Sequence, residues 1–213
     1  MQRNLINGRI FMFEHITSRH ILISATIAFA LASEYALAND ASAPAAPAAA
    51  APVAPAMPAL PAELSQYDFF LGTWSCSGKA FASPMGAEHA TTATLHVVKA
   101  VGGRWVHLTY DEDKSAANPA PFHAGLYWGY DAGKKVFVQN CVDVFGGYCQ
   151  QTSAGWSGDS FVFEGAGVSD GQAGKFRDSL TRKDASTVMH AGEAQGADQR
   201  WAKTDEETCH KAK

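Results

Sequence analysis

From Gly72 onward, apolar and polar residues alternate along short segments that are separated by Gly, Asp, Asn and Pro. A period of two is typical of β-strands that bury one face, and the separating residues are those that favour turns. The pattern therefore predicts ten strands. They are expected over residues 72–81, 89–101, 104–111, 122–130, 135–144, 148–154, 160–165, 175–183, 186–193 and 199–209.

The links between these predicted strands are mostly of hairpin length, for example Gly102-Gly103 and residues 145–147. Short links make each strand antiparallel to the one before it. A sheet of about ten strands in up-and-down order exposes two edges until it closes on itself. The chain is therefore predicted to be an all-β protein, an antiparallel up-and-down β-barrel of about ten strands.

A different periodicity precedes the first strand. In residues 61–70, Leu64, Tyr67 and Phe70 recur every three residues, which is the spacing of one helical face. We expect a short N-terminal helix that closes one end of the barrel. Trp74 follows it at the start of the first strand, and Cys76 and Gly78 share the face of Trp74.

The first 38 residues have the three parts of a secretory signal peptide. Basic residues (Arg3, Arg9 and Arg19) accompany an apolar run over 21–32 and the small residues of Ala36-Leu37-Ala38. The apolar run is shorter than the roughly 20 residues that span a bilayer. We expect cleavage after Ala38, a periplasmic or secreted protein, and no stable membrane span afterwards. An uncleaved anchor is the alternative, and Met12 is an alternative start.

Residues 39–62 are rich in Ala and Pro and contain no glycine, and six of the nine prolines of the chain lie in 41–61. Such a composition does not form a packed core and favours extended conformers. It predicts a disordered linker between the signal peptide and a barrel domain over 63–213. The formal net charge of −4 at pH 7 argues against a nucleic-acid-binding protein, which usually carries a basic patch.

The chain has four cysteines, all in the predicted barrel. An even number in an exported protein indicates two disulfides, although three pairings exist on paper. A turn around 144–147 favours Cys141 with Cys149, which leaves Cys76 with Cys209 to join the first strand to the last. The spacing lacks the close pairs that a structural metal site needs, so no metal is expected.

Large aromatic residues and histidines are the candidates for the barrel interior. The five tryptophans fall on separate predicted strands or at strand ends, and each is explained first by burial and second by ligand stacking. They are Trp74, Trp105, Trp128, Trp156 and Trp201. The histidines on strands that could reach the interior are His96, His107, His123 and His190. Spacing alone does not say which side of its strand each one occupies.

Motifs of catalysis are incomplete in this sequence. The turn Gly158-Asp159-Ser160 resembles an esterase nucleophile turn, but residues 205–210 do not supply the partner His at the required spacing. The carboxylates of 111–113 do not follow the calcium-loop pattern, and they precede a loop that we expect at the barrel mouth. We therefore expect no enzyme activity and no catalytic residues.

The segments FLGTWSCSG, AGLYWGYDAGKKVFVQNCVDVFGG and GWSGDSFVFEG resemble a family of bacterial domains of unknown function with lipocalin-like (calycin) barrels, similar to the nitrobindin group. The resemblance covers about residues 64–183. It implies an inner cavity for a small, mostly apolar ligand. The nitrobindin group binds haem through a His on a strand near the C-terminus, and His190 is the strand His of that region here.

These observations predict an exported, non-catalytic barrel that binds a small hydrophobic or amphipathic molecule without a cofactor. The residues expected to contact the ligand are Trp74, Trp105, His123, Tyr127, Trp128 and His190. A haem or nitric-oxide protein that uses His190 or His123 is the first alternative. A cell-envelope interaction module without a ligand is the second, and a solid core would favour it.

Overall fold

The computed structural model describes residues 57–83 and 86–213, so the predicted signal peptide and most of the predicted linker lie outside the described residues. Residues 57–61 have no regular secondary structure, and the Arg104 guanidinium donates a hydrogen bond to the carbonyl of Pro58. Within the described ranges, no helix is long and apolar enough to cross a membrane.

The described chain consists almost entirely of strands. A 3-10 helix over Ala62–Tyr67 comes first, and a 3-10 turn over Val101–Gly103 links the second and third strands. The strands are β1 (Gly72–Ala80), β2 (His89–Ala100), β3 (Trp105–Glu112), β4 (His123–Asp131), β5 (Val136–Asp143), β6 (Tyr148–Ser153), β7 (Trp156–Ser157), β8 (Ser160–Ser169), β9 (Gln172–Arg182), β10 (Thr187–Gln195) and β11 (Trp201–Lys211).

The sheet closes on itself. Strands β1 to β6 and β8 to β11 each pair antiparallel with the next, β11 pairs with β1, and β6 pairs with β8. Ten strands thus form the ring, and the two-residue β7 adds a hairpin partner to the start of β8. The predicted all-β antiparallel barrel is confirmed. The helix predicted over 61–70 is shorter and is a 3-10 helix.

One end of the barrel is filled by aromatic rings. Tyr67, at the end of the 3-10 helix, is fully buried, and its ring centroid lies 5.4 Å from Trp128 and 5.2 Å from Phe137. Its hydroxyl donates a hydrogen bond to the carbonyl of Gly129 at 3.0 Å. The indole of Trp74 donates to the carbonyl of Phe70 at 2.7 Å. The predicted helical closure is therefore an aromatic floor, with its polar atoms paired.

Both predicted disulfides are confirmed. Cys76 in β1 bonds Cys209 in β11, across the seam where the first and last strands meet. Cys141 in β5 bonds Cys149 in β6, across the hairpin that the turn at 144–147 makes. All four sulfur atoms face the interior, because each cysteine lies two residues from a buried inward residue of its own strand: Trp74, Gln139, Gln151 or Glu207.

Glycines let neighbouring strands approach closely where the barrel bends. A Cβ on Gly165 in β8 would lie 2.3 Å from the carbonyl oxygen of Gln150 in β6. A Cβ on Gly78 in β1 would lie 1.9 Å from the carbonyl oxygen of Glu206 in β11. Both contacts are with backbone atoms, so only glycine fits these two positions.

Candidate functional site

Above the aromatic floor, the inward positions of the barrel change from apolar to polar. His190 in β10 lies between two carboxylates on the neighbouring strands. Its Nε2 is 3.2 Å from Asp178 Oδ1 in β9, and its Nδ1 is 3.0 Å from Asp205 Oδ2 in β11. Both ring nitrogens therefore donate, which requires the imidazolium form.

The charges of this triad stabilise one another. Burial alone would lower the pKa of His190, but the Asp205 and Asp178 carboxylates outweigh it and raise this pKa well above its usual value. Burial would likewise raise the pKa of Asp205, but His190 outweighs it and the pKa is lowered. His190 is therefore a cation and Asp205 an anion at neutral pH.

A chain of amides connects the triad to the opposite wall. Gln139 in β5 donates to Asp178 Oδ2 at 2.9 Å and also to the side chain of Gln151 in β6. The indole of Trp128 in β4 donates to Gln139 Oε1 at 2.5 Å. Gln139 and Gln151 are almost fully buried, at 2% and 1% exposed. This chain crosses the barrel just above the aromatic floor.

The buried carboxylate of Glu207 completes the polar layer. Glu207 Oε1 accepts hydrogen bonds from the hydroxyls of Thr91 at 2.7 Å and Tyr110 at 2.6 Å, which come from β2 and β3. Burial and then the Glu207 carboxylate raise the pKa of Tyr110, so its hydroxyl remains a donor. We call the set Thr91, Tyr110, Gln139, Gln151, Asp178, His190, Asp205 and Glu207 the polar layer.

The loop between β3 and β4 is held at the mouth by another buried carboxylate, that of Glu112. Glu112 Oε2 accepts from the Asn118 side-chain amide at 2.9 Å and from the Phe122 backbone N–H at 2.8 Å. Its Oε1 lies 3.4 Å from Nε2 of His89. The loop that the sequence placed at the barrel mouth is therefore held to the barrel by an inward-facing side chain.

The mouth half of the barrel is lined by small side chains. Strand alternation turns five Ala or Gly residues inward on the mouth side of the polar layer, and each is at least partly exposed. They are Ala80, Ala124, Gly174, Ala194 and Ala202. The side chains of His190, Asp178 and Asp205 face the interior yet are 26%, 29% and 34% exposed. Solvent therefore reaches the triad through the mouth.

Three of the six residues predicted to contact a ligand face the interior. Trp74 and Trp128 belong to the aromatic floor, at 1% and 3% exposed, and His190 belongs to the polar layer. Their predicted role as ligand contacts stays a prediction.

The other three predicted residues lie on the outer surface. Trp105 covers the outward face of Gly129, and Tyr127 stacks on His107 with ring centroids 4.6 Å apart. His123 pairs with Asp111 at 3.0 Å, on the same outer side. These three side chains do not reach the polar layer.

Sequence reasoning missed the acidic members of the polar layer. A signal for two of them was present, since Asp205 and Glu207 precede Cys209 by four and two residues and share its face in a strand. Cys209 was predicted to bond Cys76, which shares the face of Trp74. A signal for Asp178 was also present, since it lies between Phe176 and Leu180 on one face of its strand.

The arrangement around His190 does not fit haem ligation. A ring nitrogen that binds iron needs a free lone pair, whereas both nitrogens of His190 point at carboxylates. His123, the other candidate, lies outside the barrel. In the described ranges one set of side chains converges as metal ligands would, namely Cys76, Glu207 and Cys209. Two of these form a disulfide, so their sulfurs are not thiolate ligands.

Comparisons with known proteins are consistent with the barrel fold and do not identify an activity. A family model described as "Protein of unknown function (DUF1579)" matches residues 65–211. No curated protein matches the chain. The crystal structure of Rv2717c from M. tuberculosis is similar, with a TM-score of 0.56 and 14% identity over 73% of this chain and 100% of that one.

A second solved structure, a protein of unknown function from the DUF3598 family (Npun_R4044) of Nostoc punctiforme, is 12% identical over 72% of this chain and 100% of that one. Its TM-score is 0.22. At 14% identity, the first structure supports the fold alone. The finer resemblance to the nitrobindin group stays a prediction.

Proposed function

Because the chain belongs to the DUF1579 family, whose function is unknown, we propose from its site that the barrel binds a small amphipathic molecule without catalysis. The ligand's polar group lies on the polar layer, and its apolar part lies in the mouth half of the barrel. Of the hydrophobic and amphipathic ligands that the sequence predicted, the polar layer favours the amphipathic kind.

One observation carries this proposal: a charged triad lies inside the barrel, open to solvent at the base of a mouth lined by small residues. Burying charges and amides opposes folding unless each is paired. The aromatic floor and the disulfides close the barrel at other positions, so closure of the barrel does not require these charges. Binding a polar group supplies a reason for them.

The net charge of the inward side chains determines which head group of a ligand they bind. The inward carboxylates Glu112, Asp178, Asp205 and Glu207 outnumber the inward histidines His89 and His190, so negative charge is in excess. An ammonium or another donor-rich head group gains from that excess, whereas a carboxylate is repelled.

Partly buried apolar side chains on the barrel walls are placed to contact the apolar tail of the ligand. Leu95 and Leu126 pack against the core and remain incompletely covered. Phe176 faces the interior next to Asp178 along the inward side of β9 and is also partly exposed. Each CH₂ group of the tail that is buried contributes about 0.8 kcal/mol to the free energy of binding, so several such groups give a measurable affinity.

The absence of catalysis is part of the proposal. The Gly158-Asp159-Ser160 turn is a hairpin between β7 and β8, with a φ of +60° at Gly158, and Asp159 pairs with Arg182 at 3.1 Å. Ser160 therefore lies at a turn of the barrel wall, with its hydroxyl 3.5 Å from that of Thr181. The two disulfides support export to an oxidising compartment, the periplasm or the exterior.

Titration calorimetry with two ten-carbon probes tests the proposal. We expect decylammonium to bind at least tenfold more tightly than decanoate at pH 7. Asp205→Asn should weaken decylammonium binding about tenfold, the equivalent of ~1.4 kcal/mol. The matched control is Glu164→Gln, which removes a carboxylate from the outer surface, where Glu164 pairs with Arg177.

The control should bind like the wild type, and circular dichroism should show both variants folded. Two results would overturn the proposal. One is that neither probe binds and native mass spectrometry of the purified protein shows no copurified small molecule. The other is that decanoate binds as tightly as decylammonium.

A further inference from the structure

The outer surface of the barrel has a charged side. On β8 to β11, Arg177 lies 3.0 Å from Glu164 and 3.4 Å from Glu193, and its guanidinium lies 4.0 Å over the ring of Trp201. On β11, Lys203 pairs with Glu206 at 2.5 Å. Dense ion pairs of both signs are typical of a surface that faces water.

The opposite side, over β3 to β6, has an uncharged centre. The strand registers place eight outward residues in two adjacent rows, and none of the eight is Asp, Glu, Lys or Arg. The rows are Thr109, Gly125, Val142 and Tyr148, and then His107, Tyr127, Asn140 and Gln150. We call these eight residues the uncharged face.

Large apolar side chains are concentrated on and around this face. Six of the ten exposed large hydrophobic residues in the described chain belong to it or border it, with exposed fractions of 43% to 62%. They are Val98, Tyr127, Val142, Val144, Phe145 and Tyr148. On the charged side, Met189 stands alone among them, at 38%. A one-sided distribution of this kind marks an interaction surface.

The shape of the uncharged face is compatible with close packing against a partner. Val142 lies beside Gly125, 4.0 Å from where a Cβ would stand, so the surface is low at Gly125. Tyr127 is held upright on this surface by its stack with His107. A groove of about 510 Å³ follows the edge away from the mouth. Trp105, Val138 and Thr152 contribute to its lining, and the charged residues Asp131, Lys134 and Glu164 lie at its rim. Ordered aromatic residues beside shallow pockets are typical of interface centres.

The area of the face matches half of a protein dimer. Six half-exposed side chains of this size present on the order of 600 Å² of apolar surface. A stable interface needs about 800 Å² from each partner. The polar residues His107, Thr109, Asn140 and Gln150 supply the difference, with the Asp111–His123 pair at the rim.

The charge of the face identifies the partner. In a two-fold dimer, each patch meets its own copy, so a formal charge near the axis would meet its like. A surface without formal charge avoids that repulsion. The charged side, with its dense ion pairs, would not avoid it. We propose that the uncharged face is the interface of a two-fold homodimer, with Val142 and Tyr148 near its centre.

Analytical ultracentrifugation of the wild type and two matched variants tests this inference. The wild type should sediment at twice the monomer mass at micromolar concentrations. Val142→Lys places two ammonium groups across the axis and should raise the dimer dissociation constant at least 100-fold. Met189→Lys makes the same change on the charged side and should leave the dimer intact.

A monomeric wild type at 100 μM, or a Val142→Lys variant that dimerises like the wild type, would overturn the inference. A monomer that floats with phosphatidylglycerol vesicles would assign the face to a lipid surface and would also overturn it. The outcome is independent of the proposed ligand, because binding of decylammonium in the lumen is measured separately.

Discussion

The two disulfides close loops of very different length, and this difference predicts how much each stabilises the barrel. Cys76 and Cys209 are separated by 133 residues, whereas Cys141 and Cys149 are separated by 8. A crosslink reduces the entropy of the unfolded chain by an amount that grows with the logarithm of the loop length. The seam disulfide should therefore contribute more than the hairpin disulfide.

The chain-entropy relation gives about 5 kcal/mol for the longer loop and about 2.5 kcal/mol for the shorter one at 25 °C. The perturbation is the replacement of each pair by alanine, Cys76→Ala with Cys209→Ala, and Cys141→Ala with Cys149→Ala. Cys76 and Cys209 are 4% and 3% exposed, so the first replacement also leaves a small cavity. That effect adds to the expected difference of about 2.5 kcal/mol.

Equilibrium unfolding in urea, followed by tryptophan fluorescence, measures both free energies of unfolding. Trp74 and Trp128 are buried and report the loss of the aromatic floor. The seam variant should also have a steeper dependence on urea, because its unfolded chain is more expanded. If the hairpin variant loses as much free energy as the seam variant, the reasoning from loop length is refuted.

Three further predictions concern single groups. The pKa of His190 is raised in the folded state, so its stabilising effect is complete below the unfolded pKa of about 6.5 and is lost as pH rises through the folded value. The melting temperature should therefore fall as the pH is raised above neutrality, and a His190→Asn variant should lack that decline. An identical decline in the variant would contradict the assignment of the effect to His190. Gly165→Ala should destabilise the barrel by about 3 kcal/mol, since its Cβ meets the β6 backbone, whereas Gly174→Ala should change stability by less than about 1 kcal/mol; equal urea midpoints would exclude this explanation. Tyr67→Phe removes the hydrogen bond to Gly129 and should cost about 1 kcal/mol in thermal unfolding, and an unchanged melting temperature would show that this bond has no net effect.

The fold was predictable because its strands bury one face. Alternation located all ten strands of the ring, and the turn at 144–147 identified one disulfide and thereby the other. The ends of β8 and β9 were less well predicted, since Gly165 was taken as the end of a strand that continues to Ser169. Glycine usually ends or weakens strands, but here it allows β6 to approach.

The site was less predictable because spacing gives relative facing only. Tyr127 and Trp128 are adjacent in one strand, so only one of them can face the interior, and size alone did not say which. His190 was identified as a strand histidine, but its two carboxylate neighbours come from other strands. Contacts between strands depend on register, and register follows from turn geometry and packing that a single sequence does not state.

The two faces of β4 and β5 separate the two proposals physically. Inward, Leu126 and Gln139 belong to the walls and the polar layer, and outward, Tyr127 and Val142 belong to the uncharged face. Because a strand alternates its side chains, a substitution on one face leaves the chemistry of the other intact. Asp205→Asn should therefore change ligand affinity without changing sedimentation, and Val142→Lys should do the reverse. A Val142→Lys variant that also loses affinity for decylammonium would contradict this separation of the two faces.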